Sequence, residues 1–128
     1  MTYHMTKKVN LPFDQAIDKV TQALAEKGFG VLTTIDVKAT LKKKIDADFR
    51  PYTILGACNP NFAFQALQAE SKIGTMLPCN VVVQQADDGT IEVSAVDPMA
   101  SMQAIENPDL GGIAGEVRAM LQEVIAGL

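Results

Sequence analysis

Two apolar runs, Cys79 to Gln85 and Thr90 to Val96, are separated only by Ala86, Asp87, Asp88 and Gly89. Glycine tolerates the positive φ that tight turns require, so this spacing predicts a β-hairpin, and a hairpin makes its two strands antiparallel neighbours. A purely parallel, doubly wound sheet is thereby excluded.

The remaining chain supplies partners for that hairpin. Alternation over residues 3 to 9 predicts a first strand with Tyr3, Met5 and Val9 on one face. From Asn10 to Lys27, Phe13, Ala16, Ile17, Val20 and Leu24 recur at helical spacing, with Pro12 suited to the first turn and Gly28 to the stop. Phe29 to Ile35 reads as a second strand. Asp36 then caps a short helix in which Val37, Leu41 and Ile45 stack one turn apart, and Tyr52 to Cys58 forms a third strand buried on both faces at its centre. Asn59 and Pro60 cap and open a helix carrying Phe62, Ala66 and Ala69 on one face. Residues 71 to 78 read as a loop with an unusually apolar middle. Beyond the hairpin, Asp97-Pro98 starts a short turn or helix, Asn107-Pro108 breaks it, and residues 109 to 127 form a last helix with Ile113, Val117, Met120, Leu121 and Val124 inward.

The predicted order is β-α-β-α-β-α-β-β-α. At 128 residues and without a repeat or linker, the chain is expected to be one α+β domain spanning 1–128, its antiparallel or mixed sheet covered by helices mainly on one face. An apolar fraction of 48% against 20% charged residues is high for a small monomer, so part of the surplus is expected to cover a subunit interface. The net charge of −4 argues against a nucleic-acid footprint, which needs clustered Lys and Arg. Lys42, Lys43 and Lys44 are too short a run to reverse that and read as a solvated helix face. Residues 1 to 8 lack the apolar core of a signal peptide, and no apolar stretch approaches the roughly 20 residues of a bilayer span; a cytoplasmic protein without membrane attachment is expected.

Cys58 and Cys79 are the best clue to chemistry. One ends the third strand and the other opens the fourth, so if these strands pair antiparallel, thiols 21 positions apart fall at the same end of the sheet. Cys58 precedes a helix N-terminus, where unpaired N–H groups favour a thiolate. The alternative is that both are small buried hydrophobes, as free cysteine commonly is. No metal site is expected: there is one histidine, His4, no Cys-x-x-Cys spacing, and Met76, Met99, Met102 and Met120 are dispersed as core filling. Asp97, Glu92 and Glu70 with Lys72 read as a cap, a strand position and loop charges. Gly28-Phe29-Gly30 follows a helix and so fails as a phosphate loop.

Taken together, Gly28-Phe29, the run Tyr52, Ile54, Leu55, Gly56, Cys58, Asn59, Pro60, then Ile73-Gly74, the segment Leu77 to Val81 and the Asp-Gly hairpin resemble domain-of-unknown-function family 302 over nearly the whole chain. The resemblance implies a TATA-binding-protein-like β-α-β(4)-α fold with extra short helices, a homodimer, and a setting in sulfur or redox metabolism. It assigns no activity and no cofactor, and it leaves open whether the domain is an enzyme. Its motif positions fall here on Cys58, Asn59, Pro60, Pro78 and Cys79.

Two functions are therefore expected. The first is a module that binds a small ligand or partner through Cys58, Asn59, Pro78 and Cys79. The alternative is a thiol-dependent redox or sulfur-transfer protein in which Cys58 attacks and Cys79 resolves.

Overall fold

A computed structural model describes residues 2–128. Five strands form one sheet: β1 (His4–Val9), β2 (Gly30–Asp36), β3 (Tyr52–Cys58), β4 (Cys79–Gln85) and β5 (Ile91–Val96). Their spatial order is β1-β5-β4-β3-β2 and every neighbouring pair is antiparallel. The hairpin predicted from residues 79 to 96 lies in the middle of this sheet. Gly89 adopts φ +87° and donates to the Ala86 carbonyl at 2.9 Å, which closes the turn.

Helices α1 (Phe13–Glu26) and α5 (Pro108–Ala126) pack against one face of the sheet. Strand alternation sends Leu55, Val81, Val83 and Val93 into that layer, where they meet Val20, Leu24 and Leu121 with almost no solvent exposure. Each such side chain contributes about 1.5–3 kcal/mol by leaving water. The opposite face carries Asn80, Gln84, Glu92 and Ser94, half-buried or exposed, and Thr6 Oγ1 lies 2.8 Å from Ser94 Oγ across β1 and β5. Helices α2 (Val37–Ile45), α3 (Pro60–Ala69) and α4 (Pro98–Ser101) are shorter.

Most helix boundaries follow their caps. Asp36 accepts from Ala39 N–H at 2.9 Å, Asp97 from Met99 N–H at 3.0 Å and Asn107 from Asp109 N–H at 3.0 Å. Pro12 differs from expectation, sitting at the cap of α1 with the helix beginning at Phe13. Gly28, at φ +84°, ends α1 by turning the chain left-handed, and the next residue, Phe29, donates back to the Leu24 carbonyl at 2.9 Å.

Two expectations need correction. Val37, Leu41 and Ile45 do not form a buried stripe: α2 buries no residue, and Ile45 is 68% exposed. The helix follows the edge strand β2, itself exposed along nearly its whole length, so no second layer covers it. Residues 73 to 76 are not loop but a 3₁₀ turn, and Ile73 is fully buried against Ala66 and Leu110. Ile73 thus joins a second small core between α3 and the start of α5, while Met76 of the same turn stays exposed.

Candidate functional site

The β3–β4 ladder pairs Ala57 with Cys79, so Cys58 lies one residue past the paired partner of Cys79 at the same end of the sheet. The strand-end arithmetic of the sequence therefore holds. Both cysteines are free thiols, Cys79 buried and Cys58 half-buried. Burial pushes the Cys79 thiol up to about 11, with the neighbouring Cys58 adding a smaller push in the same direction.

Around the thiols the chain makes two abrupt changes of direction. After Cys58, Asn59 caps α3 by accepting from Phe62 N–H, although at 3.4 Å the bond is long. A Cβ on Gly28 would meet Asn59 Nδ2 at 3.2 Å, so the asparagine amide is laid against the turn that ends α1. Before Cys79, Pro78 follows a cis peptide bond and lies over Gly56 of β3. Only a residue without a side chain fits there: a Cβ on Gly56 would overlap Thr33 Oγ1 and lie 2.8 Å from Pro78 Cγ. The buried centre predicted for β3 is thus real. On its outer face it is closed by Pro78 and Thr33.

These turns form the floor of one cleft. Cys58, Asn59, Pro78 and Cys79 all line it, together with Phe29 just before β2, Phe62 and Ala63 from α3, Met102 just after α4, and Ile113 and Val117 from α5. No charged side chain lines it, and Asn59 is the sole amide. Its cavity volume is about 40 Å³, room for roughly three waters at about 10–15 Å³ each. All four sequence-predicted residues are therefore brought together.

What the sequence did not reveal is how the elements around the cleft are tied to one another. Arg118 Nε donates to Asp97 Oδ2 at 3.0 Å, tying the cap of α4 to α5 beside Pro98 and Val117, and the aspartate side chain is only 13% exposed. Asp97 read as a cap alone, and no spacing rule pointed to a partner 21 residues later. Asn107 Nδ2 likewise donates to the Ala69 carbonyl at 2.8 Å, fastening the start of α5 to the end of α3.

Other candidate groups fall elsewhere. His4 lies on the edge strand β1, its Nδ1 2.6 Å from Thr6 Oγ1. Lys42 bridges Asp46 and Asp48 at 2.8 and 3.3 Å on an exposed surface, as a solvated face should. Among the described residues, no three His, Cys, Asp or Glu side chains are grouped to hold a metal, and no helix is long and apolar enough to cross a membrane.

The chain that builds this cleft can be compared with known proteins over nearly its whole length. Residues 5–128 match the family described as "Domain of unknown function DUF302". The chain belongs to the DUF302 family. It is also similar to the crystal structure of an uncharacterized conserved DUF302 protein from Bacillus stearothermophilus, with 30% identity, 98% of each chain covered and a TM-score of 0.91. No curated protein matches it. As a DUF302 domain it has the five-stranded antiparallel sheet and helix layer described above, and the family name carries no activity with it.

Proposed function

We propose that this DUF302 domain is a small-ligand-binding module whose occupant sits in the apolar cleft beside Cys58. The observation that carries this reading is the convergence of Cys58, Asn59, Pro78 and Cys79 on one uncharged cleft of about 40 Å³. Its size decides the class of occupant. Drug-sized molecules take cavities of roughly 300–1,000 Å³, so this cleft suits a group of only a few heavy atoms. An apolar lining with one amide favours a soft or apolar group over an ion that requires oxygen ligands.

The thiol-exchange alternative has less support. Both cysteines are free, and a resolving thiol pushed up to about 11 is almost wholly protonated near neutral pH, whereas exchange proceeds through the thiolate.

The reading is tested with methyl methanethiosulfonate, which adds only a thiomethyl group to a cysteine. Half-buried Cys58 should be labelled before Cys79, leaving the fold intact and moving backbone amide NMR signals of Phe62, Ala63 and Ile113. Filling the cleft by Ala63→Met should slow that labelling. Equal labelling of the two thiols, or a rate indifferent to Ala63→Met, would refute the cleft as a binding site.

A further inference from the structure

Methionine sulfur is dispersed along the sequence, yet one of Met76, Met99, Met102 and Met120 lines the cleft of the cysteines. Met102, just beyond α4, lines the same cleft as Cys58 and Cys79. Three sulfur-bearing side chains from three separate segments thus share a cavity with room for roughly three waters. Building on the cleft reading above, we infer that Cys58, Cys79 and Met102 form a binding site for a soft monovalent metal ion, Cu(I).

The donor set selects the metal. Thiolate and thioether ligands suit Cu(I), whereas Mg²⁺ and Ca²⁺ require several oxygens that the cleft does not have. Structural Zn²⁺ is almost always held by four nitrogen or sulfur ligands, and no histidine or carboxylate lines the cleft to complete three sulfurs. Three soft donors in an uncharged pocket are a complete set for an ion content with low coordination. Binding is a simple displacement: Cu(I) replaces the protons of two thiols, which pass to solvent, and leaves a bis-thiolate complex of net charge −1 with the neutral Met102 thioether as third donor. The oxidation states of copper and sulfur do not change. Cys58, half-buried, is the more accessible of the two thiols, and Phe29, Phe62 and Ile113 would shield the bound ion from water.

The experiment is an anaerobic titration of the full chain with Cu(I) in competition with the chromophoric chelator bathocuproine disulfonate. The wild type should withdraw one equivalent from the chelator. Cys58→Ser and Cys79→Ser should each weaken binding by more than the roughly 10–100-fold that loss of a residue supporting a metal ligand costs, and Met102→Leu by about 10-fold. Met102→Leu preserves volume and fold, so it keeps the assignment falsifiable should Cys79→Ser prove unstable. No uptake from the chelator, or a Met102→Leu variant that binds as well as wild type, overturns the three-sulfur site. Failure of copper uptake while thiomethylation of Cys58 still responds to Ala63→Met removes the metal and leaves the cleft; failure of both removes the cleft.

Discussion

Replacing Gly56 by alanine tests the packing that shapes the cleft. The added methyl would project from the outer face of β3 into Thr33 Oγ1 and to 2.8 Å from Pro78 Cγ, closer than two carbons approach without displacement. Thr33 belongs to an exposed edge strand and its hydroxyl can rotate away, so that half of the clash is inexpensive. Pro78 is a ring fixed between Leu77 and Cys79 and has no rotamer to adopt. Overpacking costs about 1–3 kcal/mol, and against a ring that cannot turn aside the upper part of that range, about 2–3 kcal/mol, applies; removing the conformational freedom of glycine in a strand offsets about 0.5–1 kcal/mol of it, leaving a net loss of about 1–2.5 kcal/mol. At roughly 4 °C per kcal/mol for a chain of this size, Tm should fall by about 4–10 °C. Thermal and urea denaturation of Gly56→Ala, with and without Thr33→Ala, measure both terms. Thr33→Ala should recover only part of the loss. A Gly56→Ala protein as stable as wild type, or complete rescue by Thr33→Ala, would show that Pro78 is free to move and that the Gly56 contact does not hold the cleft floor.

Further outcomes follow from the same geometry. The folded-state pKa of Cys79, about 11, lies above its ordinary 9.0, so the native state holds the proton more tightly than the unfolded chain does; that stability is fully present below pH 9 and is lost as pH rises through 11. Urea denaturation should register a loss of roughly 2–3 kcal/mol across that window, absent from the difference curve if Cys79→Ala behaves as wild type there. Asp97→Asn keeps a capping oxygen but discards the charge facing Arg118, and should lower stability by about 1 kcal/mol with the effect shrinking in 1 M salt, whereas a salt-independent loss would place the role in capping alone. The homodimer implied by the family resemblance predicts a solution mass twice that of one chain by light scattering, and a single-chain mass at micromolar concentration would refute it.

The hairpin, the amphipathic helices and the caps were legible because each is encoded within a few residues: Gly89 in its turn, Asp36, Asn59, Asp97 and Asn107 at helix starts, the spacing of Val20 and Leu24 along α1. Even the meeting of Cys58 with Cys79 followed from strand ends, since antiparallel pairing is a simple geometric rule. What local pattern could not supply was the identity of partners distant in the chain. Periodicity reports which face of a helix is apolar but not whether anything covers it, and so Ile45 of α2 was expected inside and lies in solvent while Ile73 of an apparent loop is buried. The same holds for Met102 lining one cleft with the two thiols, for Arg118 on Asp97, and for Pro78 over Gly56: each juxtaposition joins segments whose proximity depends on how the whole sheet and its helices pack, and no short-range preference of the chain records it.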